Sequence, residues 1–338
     1  MRYDFGSDNT AGMAPSALEG LIQANAGFVP SYGADAITAR AADQIRQRLD
    51  ADADVRFVFS GTAANAIALS MLTYPFEAVL AHNAAHVCTD ETGAPGFFGQ
   101  GVGLIGLPGF SGRIDPLALK AQLTEPEVGH RQPPAALSLT QATEYGAVYT
   151  EEELRHLIEP VKACGYGVHM DGARLANAAA AGFDLKDIAR LGVDILVFGG
   201  AKAGASCVEA LVLLDKSLAR RLDNRLKQAG QTASKARTLA GPMLGLLESG
   251  DWEAGGAHAN LMAQRLAAGI ATRSPFVLAH PVESNTVFVR MPAEAHQRLK
   301  ALGWACYQFD DGSVRFVCSW ATQEEAVDEL IAAIAGLN

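Results

Sequence analysis

From about residue 35 to residue 245, short apolar runs alternate with longer amphipathic segments, and this alternation constrains the fold more than any other feature. A strand buried on both faces of a parallel sheet reads as a short apolar run, and the helix after it reads as an amphipathic segment. The pattern therefore predicts βα units and an α/β chain with a mostly parallel, seven-stranded sheet. The runs predicted as strands are 55–59, 78–81, 103–107, 136–139, 167–170, 195–198 and 209–214. The segments predicted as helices are 62–72, 151–164, 184–191 and 216–228.

The pattern changes near residue 250, which predicts a large domain over 36–248 and a small α+β domain over 249–338. Thr322 is expected to cap the last helix, with Glu325 completing a capping box three residues later. Residues 1–35 are rich in Gly, Asn and Pro and are expected to form an arm that packs against a neighbouring subunit. In the small domain we predict strands at 285–290 and 313–317 and helices at 257–273, 293–302 and 322–335.

Charge and composition exclude several classes of protein. The chain has 27 Lys and Arg against 37 Asp and Glu, a formal charge of −10, so a basic face for nucleic acid or an anionic membrane is not expected. Its five cysteines are widely spaced and form no CxxC pair, which argues against a disulfide framework or a structural zinc site. We see no apolar signal segment and no run of membrane-spanning length, and we expect a cytoplasmic protein.

Lys202 follows the predicted strand 195–198 in a glycine-rich turn at 199–204. Lysine is rarely buried without a partner, and burial disfavours its charged form. A neutral amine at such a position is a nucleophile toward carbonyl groups, so one interpretation is a lysine that forms a Schiff base. The alternative is a surface turn in which the lysine extends into solvent.

Ser60-Gly61-Thr62 follows another predicted strand and opens an alanine-rich helix. Small residues at such a turn allow backbone N–H groups and a hydroxyl to approach an anion at the helix N-terminus. The alternative is an ordinary helix cap with no ligand, since Ser and Thr are preferred capping residues. Neither the dinucleotide fingerprint nor the Walker loop is present, which favours a single phosphate over a nucleotide.

Asp171 follows the predicted strand 167–170 and comes before Arg174. A carboxylate at that edge of a parallel sheet points to the crevice where α/β proteins bind ligands, and it suits a metal or a cationic ring nitrogen. The alternative is an Asp171–Arg174 ion pair that only closes a loop. His82 and His86 would share a face if they lay on one helix, which suits either a metal site or a stacking or acid–base histidine.

The order of these features matches what pyridoxal phosphate requires. The phosphate needs an anion-binding turn, the ring needs a stacking partner, the pyridine nitrogen needs a carboxylate, and the aldehyde needs a lysine. Along the chain these are 60–62, the histidine segment, Asp171 and Lys202.

At these motifs the chain resembles the low-specificity L-threonine aldolases of the aromatic amino acid β-eliminating lyase/threonine aldolase group. These are pyridoxal-phosphate enzymes of fold type I, so the resemblance implies that fold and that cofactor. The residues that carry it are Phe5-Gly6-Ser7-Asp8-Asn9, Ser31-Tyr32-Gly33-Ala34-Asp35, 60–65, His86 with Glu91-Thr92-Gly93-Ala94, the DGARL-x-NA segment at 171–178 and the lysine run at 198–204. Relatives usually have Ser or Thr where this chain has Ala201.

The resemblance implies a role for each matching residue. Lys202 would hold the cofactor covalently, Asp171 would pair with the pyridine nitrogen, and His86 would stack on the ring. His86 or His130 would assist proton transfer at the substrate β-hydroxyl. Further cofactor contacts are implied for Ser60, Gly61, Thr62, Arg174 and, from a neighbouring subunit, Lys235. The residues implied to bind the substrate are Ser7, Arg174, Arg315 and, from a neighbouring subunit, Tyr32.

The implied reaction is retro-aldol cleavage of threonine, allo-threonine or another β-hydroxy-α-amino acid such as phenylserine, to glycine and an aldehyde. The implied assembly is a homo-oligomer, a dimer or a homotetramer, whose active sites are shared between subunits. Two alternatives stay open from the sequence. One is β-elimination from an amino acid with a leaving group, and the other is a protein that binds the cofactor without turnover.

Overall fold

A seven-stranded, mostly parallel sheet forms the centre of the large domain, in the order β1-β7-β6-β5-β4-β2-β3. The computed structural model describes residues 1–126, 128–309 and 311–337. The strands of the sheet are β1 (Asp54–Val58), β2 (Ala78–His82), β3 (Gly103–Leu107), β4 (Pro134–Thr140), β5 (Gly167–Gly172), β6 (Ile195–Gly199) and β7 (Glu209–Leu213). All seven predicted strands are present, and each lies within a few residues of its predicted range.

Most of the strands run in parallel, and β7 runs antiparallel to both of its neighbours, β1 and β6. Every residue of β2, β6 and β7 is buried, because helices cover both faces of the sheet. The helices of this part of the chain are α1 (Pro15–Ala24), α2 (Ala36–Leu49), α3 (Gly61–Leu72), α4 (His86–Thr89), α5 (Ala94–Phe98), α6 (Pro116–Thr124), α7 (Glu151–Ala163), α8 (Leu175–Ala180), α9 (Lys186–Arg190), α10 (Leu222–Gln228) and α11 (Arg237–Ser249).

Local side-chain chemistry sets where several helices begin. Thr150 caps α7 by accepting the N–H of Glu153, whose carboxylate in turn accepts the N–H of Thr150. Asp35 caps α2, and Ser60 caps α3 by accepting the N–H of Ala63. These caps fix the first turn of each helix directly after the preceding strand or loop.

Part of the predicted helix 216–228 is not α-helical. The structure has a short 3-10 helix, Lys216–Ala219, and then α10, and Arg221 between them has a left-handed backbone with φ of 66°. A residue in that conformation ends a helical segment, so the amphipathic pattern joined two elements into one.

The small domain has a four-stranded antiparallel sheet in the order β10-β11-β9-β8, covered by helices, as the sequence predicted for an α+β unit. Thr322 does not cap the last helix, so that prediction is wrong: its hydroxyl accepts the N–H of Ser319, and the helix begins after Gln323 without a side-chain cap. The elements are α12 (Asp251–Arg273), β8 (Val277–Leu278), β9 (Thr286–Arg290), α13 (Ala293–Ala301), β10 (Tyr307–Gln308), β11 (Val314–Val317) and α14 (Glu324–Ala335).

The N-terminal arm packs on its own chain over much of its length. Arg2 bridges to Trp304, and the N–H of Val317 donates to the carbonyl oxygen of Phe5, so residues 2–5 extend the small domain. Helix α1 packs closely against α11 of the large domain. The arm therefore connects both parts of the chain.

None of the helices in the described part of the chain combines the length and the apolar character that crossing a membrane requires.

The close packing of α1 on α11 predicts that Gly20→Ala destabilises the fold. A Cβ at Gly20 would overlap the carbonyl oxygen of Gly241, so the two helix backbones would have to separate. We expect a loss of about 2 kcal/mol in the free energy of unfolding, despite a gain of roughly 1 kcal/mol in helix propensity. Urea unfolding followed by circular dichroism measures the change, with Gly129→Ala as control because nothing lies within 4 Å of its Cβ position. Equal midpoints for the two variants would contradict the prediction.

Candidate active site

A cavity of about 330 Å³ lies at the carboxyl edge of the parallel strands, where ligands bind in open α/β sheets. It is lined by residues from the ends of β4, β5 and β6, from the first turns of α3 and α4, and from the start of β7. Lys202, Asp171, His86 and Arg174 all line it, together with Ser60, Gly61 and Thr62. The structure therefore brings most of the sequence-predicted site residues together.

Lys202 lies in the turn after β6 and faces the cavity. Burial lowers the pKa of its amine, and the nearby guanidinium of Arg174 lowers it further. The carboxylates of Asp8, Asp171 and Glu209 act in the opposite direction, but the pKa stays below its usual value. An amine with a lowered pKa has a larger unprotonated, nucleophilic fraction.

Asp171 lies on β5, opposite Val197 of β6, one strand away from the lysine turn. Its carboxylate accepts Asn65 Nδ2 at 2.8 Å and the N–H of Ala173 at 2.9 Å. Burial by itself would raise its pKa, but Lys202 and these donors hold the pKa below its usual value. The carboxylate is therefore kept ionised at the bottom of the cavity.

The ion pair between Asp171 and Arg174, which the sequence left open, is not formed in the described part of the chain. Arg174 instead binds Asp8 through Nε at 2.7 Å and Nη2 at 3.0 Å, and Asn285 Nδ2 donates to the same carboxylate at 3.1 Å. Burial would lower the pKa of Arg174, but Asp8 outweighs burial and raises it. Asp171 thus remains available to a ligand.

His86 opens α4 at the wall of the cavity and is oriented by two carboxylates. Its Nδ1 lies 2.9 Å from Glu91 Oε1, and its backbone N–H donates to Glu144 Oε1 at 2.8 Å. Asn65 Nδ2 donates to Glu91 as well as to Asp171, so one amide links the histidine to the buried aspartate. The hydrogen bond that His86 makes to the Glu91 carboxylate, more than any other contact, raises the pKa of His86.

The other histidines lie elsewhere. His82 ends β2, where its ring contacts the N–H of Ala84 and the carbonyl oxygen of Gly109, so it does not share a helix face with His86. His130 is exposed in the loop before β4, at the amino edge of the sheet. Because β4 spans roughly 20 Å, His130 does not reach this cavity within one chain. The proton-transfer role predicted for His86 or His130 stays a prediction, and of the two only His86 lines this cavity.

The turn predicted to bind an anion, 60–62, lies at the cavity. Ser60 caps α3 by accepting the N–H of Ala63, and the N-terminus of a helix carries unpaired N–H groups and the positive end of the helix dipole. Binding of an anion there stays a prediction. A Cβ built on Gly61 meets nothing within 4 Å, so the space above the turn is open.

Arg315 lies on β11 near Arg174, with its Nε buried and without a hydrogen-bond partner in the described chain. Its guanidinium lies 4.8 Å from the ring centroid of Phe309. Burial, and then the charge of Arg174, lowers its pKa to about 10. Arg174 lines the cavity, and Arg315 lies near Arg174 with an Nε–H that has no acceptor in the described chain. The two guanidinium groups therefore form a cationic surface suited to a carboxylate.

Five predicted site residues do not line the cavity of their own chain: His130 and Arg315, described above, and Ser7, Tyr32 and Lys235. Ser7 caps the short 3-10 helix Asp8–Thr10, next to Asn9, which does line the cavity. Tyr32 and Lys235 are exposed and lie side by side, since the N–H of Tyr32 donates to the carbonyl oxygen of Ser234. The roles predicted for them in a neighbouring subunit stay predictions.

Several residues of the site were not identified from the sequence. Asn65, Glu144 and Glu209 line the cavity, while Asp8 and Glu91 bind residues that do. Asp8, Asn65 and Glu91 belong to the motifs that carry the family resemblance. Glu209 begins the predicted strand 209–214 and Glu144 follows the predicted strand 136–139, so an acidic residue at the end of a strand is the signal that indicates both.

Over residues 4–294 the chain matches the family described as Beta-eliminating lyase. It is 42% identical to the low specificity L-threonine aldolase of Pseudomonas sp. (strain NCIMB 10558), over 98% of this chain and 96% of that protein. The chain belongs to the beta-eliminating lyase family. The structure of a threonine aldolase from Leishmania major covers 99% of each chain at 32% identity, with a TM-score of 0.92.

Family membership and fold type I, both predicted from the sequence, are confirmed. A more distant structure, an aspartate aminotransferase from Thermus thermophilus, matches with a TM-score of 0.72 over 99% of this chain and 92% of that one. At 17% identity it shows the shared fold alone.

We expect Asp8→Ala to destabilise the protein, because it would leave the buried guanidinium of Arg174 without its carboxylate. Removing one partner of a buried ion pair costs about 3–5 kcal/mol of unfolding free energy. The control is Asp4→Ala, which breaks an exposed pair with Arg2 and costs about 1 kcal/mol or less. Urea unfolding compares the two, and a loss in Asp8→Ala no larger than the control's would show that Asp8 is dispensable.

Glu91→Gln is expected to lower the pKa of His86, because the carboxylate that favours the protonated ring is removed. Histidine-selective isotope labelling and NMR titration measure this pKa, and His86→Asn identifies the signal. Asp90→Asn is the matched control, since that carboxylate binds Thr89. A His86 titration that does not move in Glu91→Gln would refute the assignment.

Proposed function

We propose that the chain is a pyridoxal-phosphate-dependent carbon–carbon lyase that cleaves β-hydroxy-α-amino acids to glycine and an aldehyde. The substrates are threonine and allo-threonine, together with analogues such as phenylserine. The observation that carries the proposal is one cavity that combines Lys202, whose amine has a lowered pKa, with Asp171, a buried carboxylate held ionised. The sequence relatives, which are named low specificity L-threonine aldolase, support the same substrate class.

The residues of the cavity fit pyridoxal phosphate. Lys202 supplies a nucleophilic amine for the aldehyde, Asp171 a fixed anion for the ring nitrogen, and the capped N-terminus of α3 at Ser60, Gly61 and Thr62 an anion site for the phosphate. His86 supplies a flat ring at the cavity wall. When bound, the cofactor acts as an electron sink for the bonds at the substrate Cα.

The chain's own residues would orient the substrate. Arg315 offers a buried Nε with no partner in the described chain, and Arg174 keeps Nη1 outside its two bonds to Asp8. Arg315, Arg174 and Ser7 would bind the substrate carboxylate together, and this would fix the direction of the Cα–Cβ bond. Arg174 is itself held rigid by Asp8, so the clamp is preorganised.

A base is needed for the β-hydroxyl proton, and His86 is the histidine that lines the cavity. With Nδ1 bonded to Glu91, Nε2 is the ring nitrogen left to exchange a proton with a ligand. Because Glu91 raises the pKa of His86, the ring gives up its own proton at a higher pH than a free imidazole. Cleavage is therefore favoured toward alkaline pH, where Nε2 is unprotonated.

The proposal includes a cytoplasmic homo-oligomer, a dimer or a tetramer, with active sites shared between subunits. Tyr32 and Lys235 lie together on an exposed surface, and Phe28, four residues before Tyr32 in the chain, is fully exposed. Exposed aromatic side chains near residues predicted to serve another site support contact with a second copy. The free cysteines support the cytoplasm.

A second candidate is β-elimination from an amino acid with a leaving group on Cβ, which the name of the matching family favours. The same lysine and carboxylate would serve that reaction. The products separate the two candidates: an aldolase releases glycine, whereas an eliminase releases ammonia and a keto acid.

The test is glycine release from threonine, allo-threonine, phenylserine and serine, with Lys202→Ala beside the unaltered chain. We expect glycine from the first three substrates and a loss of activity on the order of 10³-fold or more in Lys202→Ala, because the nucleophile is removed. Lys216→Ala is the control, since Lys216 pairs with Asp52 at the surface.

Absence of glycine from every substrate would reject the aldolase. Keto acid in its place would favour elimination. Unchanged activity in Lys202→Ala would reject the role of the lysine in both reactions.

A further inference from the structure

Glu209 is a buried acid of the cavity to which neither the mechanism above nor the sequence gives a role. It is the first residue of β7, 5% exposed, and it lies opposite Gly199 at the end of β6. Because β7 is antiparallel, its first residue lies at the same edge of the sheet as the carboxyl ends of its neighbours. The reversed strand thus delivers a carboxylate to the active-site edge.

The Glu209 carboxylate binds the turn that carries Lys202. The N–H of Gly200 donates to Glu209 Oε2 at 2.7 Å, and the N–H of Ala201 also favours the charged form. On the other side, Trp252 Nε1 donates to the carbonyl oxygen of Gly199 at 2.8 Å. The backbone just before Lys202 is therefore held from two directions.

The lysine itself is the cation that acts on Glu209. The positive charge of Lys202 favours ionised Glu209, and ionised Glu209 favours protonated Lys202. Asp171, from β5, faces both groups and opposes the ionisation of Glu209. Asp8 and Arg174 act on the lysine from the arm and from the start of α8.

We propose that Glu209 is a positioning residue for Lys202, one that fixes the lysine turn through the backbone and, when ionised, places a negative charge in the cavity that the amine shares. This inference rests on the proposed function, because Lys202 matters only if it reacts. The effect of Glu209 on the lysine can nevertheless be measured before any ligand is bound.

Glu209 changes its protonation state near neutral pH. Burial, opposed by the N–H of Gly200 and by Lys202, raises the pKa of Glu209 to about 7. Above that pH the carboxylate is charged and favours the ammonium form of Lys202. Below it the carboxyl is neutral, and that contribution to the lysine is lost.

The first test measures how fast cyanate carbamylates Lys202 at different pH values, in the full chain without added pyridoxal phosphate, by peptide mass spectrometry. In Glu209→Gln the amide oxygen can still accept the Gly200 N–H, but the charge is gone. We expect the midpoint of the pH–reactivity curve to move down by about one pH unit. Glu248→Gln, which alters a surface pair with Arg40, is expected to leave the curve in place.

The second test uses the chain loaded with pyridoxal phosphate and follows the absorbance of the bound cofactor as the pH is changed. The midpoint in Glu209→Gln is expected to move in the same downward direction. Glu209→Ala removes the acceptor as well as the charge, and we expect it to retain the cofactor several-fold more weakly than Glu209→Gln. A merely structural role would not move either midpoint in the isosteric variant.

An unchanged carbamylation midpoint in Glu209→Gln would overturn the inference, whatever the chain catalyses. If the chain bound no pyridoxal phosphate, the proposed function would fail, while the carbamylation curve would still decide the role of Glu209. Equal cofactor retention in the alanine and glutamine variants would overturn the backbone part of the inference.

Discussion

The structure depends on carboxylates that compensate the desolvated cationic groups at one edge of the large sheet. Lys202 and Arg174 sit where desolvation penalises charge, and four carboxylates act on one or both of them: Asp8, Asp171, Glu144 and Glu209. Each comes from a different part of the chain, namely the N-terminal arm, β5, the loop after β4 and β7. An uncompensated charge in such a place is strongly destabilising, so the arm, the sheet and the reversed strand must assemble together. The same balance leaves the lysine amine reactive, which ties the stability of this region to its chemistry.

Much of the large domain was predictable because a strand covered on both faces must be apolar, and apolar runs are visible in any single sequence. The direction of β7 was not, since an antiparallel strand with both faces buried has the same composition as a parallel one. The hydrogen-bond partner of Thr322 was not predictable either. Thr322 lies near the start of a helix, but its hydroxyl accepts the N–H of Ser319 instead of capping the helix. The break at Arg221 likewise depends on a single backbone angle that the amphipathic pattern does not encode.

The candidate site divides along a similar line. Lys202, Asp171 and 60–62 were predicted because strand ends in a parallel sheet meet at one edge, and the predicted strands give their positions. Asp8 was not predicted as the partner of Arg174, because 166 residues separate the two and no local rule links them. Glu209 was missed because its approach to Lys202 follows from the reversed direction of β7. The roles predicted for Tyr32 and Lys235 involve a second copy of the chain, and no pattern within one chain determines how two copies meet.

Strand β7, which runs antiparallel to its neighbours in the large sheet, also limits how the lysine turn can move. Residues 200–208 connect β6 directly to β7, its neighbour in the sheet, so the lysine turn is anchored at both ends in the same hydrogen-bonded layer. Such a short, doubly anchored connection has no room to swing as a lid does. If the amine must let go of one partner and take up another, the movement is confined to rotations about the four methylene groups of the lysine. The fold thus combines a rigid backbone turn with a flexible side chain, so the amine can change partners without deforming the sheet that supports it.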